Sequence, residues 1–283
     1  AMTRHLAVLG SPIAHSKSPA LHSAAYRTLQ LNWDYTRVEL TANHLLQFIE
    51  TLDIDWLGLS LTMPLKEEAL RIANEKSPLA LATGVANTLL RTTTGWTAFN
   101  TDVFGIQRAV SSAIEGAPKR VVIVGSGATA ASAVFAAHGL FSEAKITVVS
   151  RNAKTATALQ KRAASNGIKI ATASMRKLRA QLSRADLAIS TLPSGALDES
   201  AAKLPRNPFF RPAGILLDVA YDPWPSELAK AFESKHARVI SGVEMLIWQA
   251  IAQIRIFNHN DIDVDLPNER AVELAMRHSL GLI

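Results

Sequence analysis

Two short stretches of the sequence carry polar and glycine residues in patterns suited to catalysis or ligand binding. The first is GLSLTMPLK, which ends at Lys66 and carries the hydroxyls of Ser60 and Thr62 just upstream. The apolar run WLGLSL reads as a strand buried on both faces, and EEALRIA reads as the helix that follows, with Pro64 expected as its first residue. Lys66 is thereby expected at the carboxyl edge of a strand, where open α/β sheets bind ligands. A lone lysine in a first helical turn is equally an ordinary solvated residue, so this stretch needs support from the rest of the chain.

The second stretch is VVIVGSGATA, a G-x-G-x-x-A pattern that sets Gly125, Ser126, Gly127 and Ala128 directly after a buried strand and at the start of a helix. Glycines there permit a tight turn and let backbone N–H groups approach a pyrophosphate at the helix N-terminus. A tight turn without a ligand has the same local pattern. The next strand ends at Ser150-Arg151-Asn152, with Lys154 close behind. A unit that binds NAD usually carries a carboxylate at that place; a guanidinium would instead pair with a 2′-phosphate, which favours NADP.

The elements that must hold these residues alternate. LAVLG, YTRVEL and WLGLSL are strand-like, with helical patterns over ALHSAAYRTL, NHLLQFIETL and the segment after Pro64. Such alternation is the pattern of a layered β/α unit. VANTLLRTTTGWTAF, with a turn signal at Thr94-Gly95, reads as a hairpin that closes this unit before a helix beginning near Asp102. EGAPKR then punctuates the chain, and a second alternating series runs from RVVIVG through KITVVSRN, ADLAISTLPSG and GILLDVAYDP to RVISG. Beyond Ser241 the pattern is helical, and those apolar helices need a core to bury into, expected to be that of the first unit.

Composition is that of a globular protein: 48% hydrophobic, 19% charged and no cysteine. The missing cysteines exclude disulfides, thiolate zinc sites and a cysteine nucleophile, and no metal site is expected. No apolar run approaches the roughly 20 residues of a membrane span, and the N-terminus lacks the pattern of a secretory leader, so a cytoplasmic setting is expected. The net charge of +6 includes a thickening of basic residues from Arg151 to Arg184. No basic stripe is interleaved with aromatics, so a small anionic ligand is a better expectation than nucleic acid.

Taken in order, GSPIAHSKSPALH, GLSLTMPLK, GVANTL, FNTDVFG, the glycine turn, DVAYDPWP and GVEMLIWQA together resemble the shikimate dehydrogenase family over nearly the full chain. The resemblance implies two domains: a substrate domain of residues 1–103 plus 241–283, and an inserted Rossmann-like NADP domain of residues 104–240. It implies reversible reduction of 3-dehydroshikimate to shikimate, in the pathway to chorismate and the aromatic amino acids, by a monomer or homodimer. By position, Lys66 is similar to the family's catalytic lysine, with Asp102 orienting it. Ser16 and Ser18 match the donors to the substrate carboxylate, with Tyr221 near the same end. Asn87 and Asp102 match residues that bind ring hydroxyls, and Gln249 a glutamine that reaches in from the C-terminal helix; the hydroxyls of Ser60 and Thr62, beside Lys66, are expected at the same substrate site. Gly242 opens the segment GVEMLIWQA and is expected on the cofactor side. Gln249 and Gln253, four apart on one helix face, could also be no more than a polar stripe.

One departure bears on the substrate. Ser60 stands where the family usually has asparagine, so a shorter hydroxyl replaces an amide that both donates and accepts. Ser23, and Pro225-Ser226-Glu227, also depart from the usual pattern. A quinate/shikimate dehydrogenase of quinate catabolism is the nearest alternative, although it would favour an acidic residue in place of Arg151. A non-catalytic dinucleotide-binding protein on the same fold is the alternative from another class.

Overall fold

The computed structural model describes residues 2–283; Ala1, expected from its place before Met2 to be a cloning remnant, lies outside the described residues. The chain forms two compact units, one of residues up to Thr101 together with Leu246–Ile283, the other Asp102–Met245. The two-unit α/β architecture is the one expected from the alternating pattern.

The first unit holds β1 (Arg4–Gly10), β2 (Trp33–Glu39), β3 (Trp56–Leu61), β4 (Glu75–Lys76), β5 (Thr88–Thr92) and β6 (Gly95–Phe99). They form one sheet in the order β2-β1-β3-β5-β6-β4. β1 pairs parallel with β2 and β3, whereas β3–β5 and β5–β6 are antiparallel. The β5–β6 pair is the expected hairpin, turning through Thr93-Thr94 into Gly95, whose φ of +120° suits only glycine. β4 is two residues long and carries no pattern that a sequence reading could detect. Leu9, Leu59, Leu61, Leu65, Leu89 and Ala98 lie in one buried cluster on this sheet.

Pro64 does not open a helix. The Leu65 N–H donates to the Thr62 carbonyl, closing a turn that contains a cis Met63–Pro64 peptide, and the helix starts only at Lys66 (Lys66–Ile72). The proline therefore belongs to the turn between strand and helix, and Lys66 is itself the first helical residue. The C-terminal helices pack on this unit as expected. Helix Glu269–Ser279 lies against helix Ser18–Thr28, and Phe257, on helix Gly242–His259, sits on β3 where Gly58 leaves room for its ring.

The second unit holds β7 (Arg120–Val124), β8 (Lys145–Ser150), β9 (Ile170–Ser174), β10 (Leu187–Ser190), β11 (Ile215–Asp218) and β12 (Val239–Ser241). All are parallel, in the order β12-β11-β10-β7-β8-β9. Numbered within the unit, this is the 3-2-1-4-5-6 order of a Rossmann fold, whose switch point lies between β7 and β10.

Candidate active site

On the first unit, backbone hydrogen bonds draw several loops to one sheet edge. The Thr62 N–H donates to Leu9, Ser11 to Met63, Leu61 to Asn87, Ala86 to Lys66 and Asn87 to Phe99. The carboxyl ends of β1, β3 and β6 and the amino end of β5 thus bring Ser11–Ser18, Thr62, Lys66, Asn87 and Thr101 together. This is the strand edge at which a ligand site is expected. Lys66 is partly buried there, at the head of its helix.

Ser16 and Ser18 stand at the start of helix Ser18–Thr28, where the Ser18 N–H donates to Ser16 Oγ at 3.3 Å. Ser18 is buried, its hydroxyl against the Tyr35 phenol, while Ser16 keeps part of its surface. Asn87 is 2% exposed and held on most sides. Its Oδ1 accepts from the Thr101 N–H and the Thr88 hydroxyl, each at 2.8 Å. Its Nδ2 donates to Thr101 Oγ1 at 2.8 Å and points at Gln249 Oε1 across 3.4 Å. That last separation is long for a direct bond, and a ligand hydroxyl could accept from one amide and donate to the other. Gln249 Nε2 is committed to the Leu246 carbonyl at 2.9 Å, which turns Oε1 toward Asn87.

Ser60 differs from the expectation of a substrate contact. It is buried, accepts from the Tyr35 hydroxyl at 2.7 Å and donates its one proton to Gln253 Oε1 at 2.8 Å. The shorter side chain finds its partners inside the fold because β2 and the C-terminal helix supply both of them. Burial pushes the Tyr35 phenol far above its ordinary value, the Ser60 and Ser18 hydroxyls opposing this only in part. Beside it, His22 is fully buried and stacked on Tyr35 with ring centroids 3.9 Å apart. Its Nδ1 shares a hydrogen bond with Tyr26 Oη at 2.9 Å, while Nε2 has no partner. Desolvation lowers the His22 pKa to about 3; the Gln253 carboxamide is near enough to oppose this but makes no regular hydrogen bond to the ring.

On the second unit, β7 runs through Gly125 to helix Ala128–Leu140, with Gly127 as its N-cap. Gly125 has φ +112°, and a Cβ there would meet Thr191 Oγ1 at 2.5 Å, so the turn after β10 presses on it at the switch point. A Cβ on Gly127 would meet open space, which leaves the helix N-terminus approachable. Ser126 Oγ hydrogen-bonds Ser150 Oγ at 2.7 Å and Thr155 Oγ1 at 2.5 Å, tying the glycine turn to the end of β8. Asn152 caps helix Ala153–Ser165 through the Lys154 and Thr155 N–H groups, so its side chain is spent on the fold. Arg151 and Lys154 are exposed beside it, the Arg151 guanidinium donating to the Ala196 carbonyl. An open glycine turn, a helix N-terminus and two cations after β8 together fit a dinucleotide with a phosphate on its ribose.

Asp102, first residue of helix Asp102–Ser111, is buried, and Tyr221 is partly buried in the turn after β11. Gly242 is buried, and its backbone lies so close to the Val219 and Asp218 carbonyls that a Cβ there would strike both. Asp218, a buried carboxylate that ends β11 and accepts from Ser226 Oγ at 2.5 Å, is not among the residues expected from the sequence. Desolvation raises its pKa, against the hydrogen bonds from Ser226, Ala220 and Ser190. A carboxylate closing the apolar run ILLD was the available signal. Gln253, which the sequence presents only as half of a polar stripe, is the other such residue.

Residues 8–89 match the shikimate dehydrogenase substrate binding domain, and residues 95–222 the alanine dehydrogenase/PNT C-terminal domain. The NADP(+) shikimate dehydrogenase of Syntrophobacter fumaroxidans is 31% identical over 255 residues, which cover 89% of this chain and 86% of that protein. The one from Methanosarcina acetivorans is 30% identical, with 96% and 99% covered. Among solved structures, shikimate dehydrogenase of Mycobacterium tuberculosis superposes with a TM-score of 0.82 at 38% identity, covering 97% of this chain and 99% of that one. The enzyme of Thermus thermophilus, solved with NADP(H) and shikimate, gives 0.79 at 27% identity, with 98% and 99% covered. Likeness of this extent, over both units and in the order of the motifs, means that the chain belongs to the shikimate dehydrogenase family.

Proposed function

We propose that the protein is an NADP-dependent shikimate dehydrogenase that reversibly reduces 3-dehydroshikimate to shikimate, on the pathway to chorismate and the aromatic amino acids. The observation that carries this reading is the set of backbone hydrogen bonds that draws Ser11, Thr62, Lys66 and Asn87 to one sheet edge, with Ser16 and Ser18 further along the loop that begins at Ser11. On this reading residues 1–103 and 241–283 serve the substrate and 104–240 serve NADP, in a cytoplasmic monomer or homodimer.

The reduced dinucleotide supplies a hydride when bound. The chain's own part is to bind, orient and protonate. Lys66 gives the proton that the reduced C3 oxygen needs, or takes it in the oxidative direction, and its ammonium stabilises negative charge developing on that oxygen. Asp102 orients the lysine and accepts from the neighbouring ring hydroxyl. Ser16 and Ser18 donate to the carboxylate without a neutralising arginine, with Tyr221 toward the same end. Asn87 Nδ2 and Gln249 Oε1 offer a donor and an acceptor 3.4 Å apart, close enough for one ring hydroxyl lying beside them to bond both. Gly125, Ser126, Gly127 and Ala128 receive the pyrophosphate, while Ser150, Arg151, Asn152 and Lys154 form the segment facing the ribose phosphate. Gly242 lines this side through its backbone.

The test is initial-rate absorbance with shikimate and quinate crossed with NADP⁺ and NAD⁺, on the wild type and Lys66→Ala. Turnover chiefly with shikimate and NADP⁺, lost by at least about 1,000-fold in the variant with unchanged folding, is expected. Preference for quinate or NAD⁺ would move the protein to the catabolic alternative, and near-normal turnover of Lys66→Ala would remove the lysine from the mechanism.

A further inference from the structure

Gln253 is 2% exposed on helix Gly242–His259, and its neighbours Ile251, Ala252 and Ile254 are fully buried and apolar. A carboxamide in such a place is costly unless every polar atom is used. It is used fully: Nε2 donates to the Asn87 carbonyl and to Thr88 Oγ1, each at 3.0 Å, and Oε1 accepts from Ser60 Oγ at 2.8 Å. Ser60 and Thr88 face each other directly across β3 and β5, where the sheet changes from parallel to antiparallel. The carboxamide therefore bridges a cross-strand pair.

The polarity of this network follows from its one invariant member. A backbone carbonyl can only accept, so the Asn87 carbonyl requires the NH₂ end of Gln253 beside it. Oε1 then faces Ser60, which must donate, and the Tyr35 hydroxyl supplies the bond that Ser60 accepts. At the other end, Thr88 accepts from Gln253 and so must donate, and its proton goes to Asn87 Oδ1 at 2.8 Å. Asn87 Oδ1 takes a second bond from the Thr101 N–H, and Nδ2, with one proton given to Thr101 Oγ1 at 2.8 Å, turns its other proton toward Gln249.

We propose that Gln253 is a positioning residue: by bridging Ser60 and Thr88 and binding the Asn87 carbonyl, it holds the Asn87 amide in place, with Nδ2 presented as a donor to a substrate ring hydroxyl. This rests on the shikimate dehydrogenase reading, in which Asn87 meets that hydroxyl. It also gives Ser60 a role that a direct substrate contact would not: Ser60 caps the oxygen end of the bridge.

The test is the kinetics of shikimate oxidation with NADP⁺ by Gln253→Met, which keeps the volume and removes the polar atoms. Asn87 binds the same hydroxyl in ground and transition states, so KM for shikimate should rise about 10-fold while kcat and KM for NADP⁺ stay within about 2-fold. Adding Gln253→Met to Asn87→Ala should raise KM for shikimate no further, because the glutamine acts through the asparagine. A lower melting temperature with unchanged KM, or two single effects that simply multiply, would overturn the proposal. Should Gln253→Met not fold, Thr88→Val interrupts the same relay at a strand position suited to valine, and should raise KM about 3-fold; unchanged KM there overturns the proposal as well. Wild-type protein that does not turn over shikimate would overturn the underlying reading and this inference together, whereas an active wild type with an indifferent Gln253→Met sinks the inference alone.

Discussion

Acid should weaken this fold through a single histidine. His22 has no exposed surface and a pKa lowered to about 3 by burial, against 6.5 for the free side chain. The groups packed on it offer no anion to stabilise an imidazolium: Tyr26 and Tyr35 are phenols whose pKa values burial raises, and Phe257 and Gln253 are uncharged. Between these two pKa values the unfolded chain binds a proton at His22 that the folded chain excludes. Stability therefore rises with pH in that window; the contribution is full above about 6.5, falls as pH drops below it, and levels off only near the folded value of about 3. Each pH unit is worth about 1.4 kcal/mol, so lowering the pH from about 7 to about 4.5 should remove about 3 kcal/mol at this site. The assay is urea unfolding at several pH values for the wild type and His22→Gln, whose amide can still pair with the Tyr26 hydroxyl. The variant's absolute stability matters less than the slope: the wild type should lose stability below pH 6.5 more steeply, by close to one proton. Parallel curves from about pH 6 to about 4.5 would mean that His22 is protonated inside the fold.

Two other perturbations follow from particular contacts. Gly58→Ala would drive a methyl group into the Phe257 ring and should destabilise the fold by about 1–3 kcal/mol, read as a lower urea midpoint; equal midpoints would mean that the helix carrying Phe257 shifts freely on β3. Arg151→Ala should weaken binding of NADPH by at least about 10-fold and of NADH by far less, measured by fluorescence titration, because only the former carries the 2′-phosphate. Equal losses for both would contradict the phosphate assignment.

Much of the architecture was legible because it is encoded locally. Apolar runs such as VVIVG and ILLD, followed by glycine or helical periodicity, identify strands and crossovers without reference to anything distant, and the glycine turn at Gly125–Gly127 declares itself by its neighbours in the chain. The same is true of the strand-to-helix step at Lys66, although the helix starts at Lys66 and not at Pro64. A proline before a helix is locally equivalent as a first helical residue or a turn residue, and the Thr62–Leu65 hydrogen bond in the folded chain selects the turn.

Where each hydrogen-bonding group spends its capacity is fixed only once the chain has folded. Ser60 and Gln253 lie 193 residues apart, and Asn87 and Gln249 lie 162 apart, so no local pattern could distinguish a hydroxyl left for a ligand from one consumed inside the core. His22 reads as a polar residue in an amphipathic helix until Tyr26, Tyr35 and Phe257 are packed around it. Propensity and periodicity act within a few residues along the chain and place the backbone. Hydrogen-bond direction and ionisation depend on the nearest atoms in space, and only folding brings those atoms together.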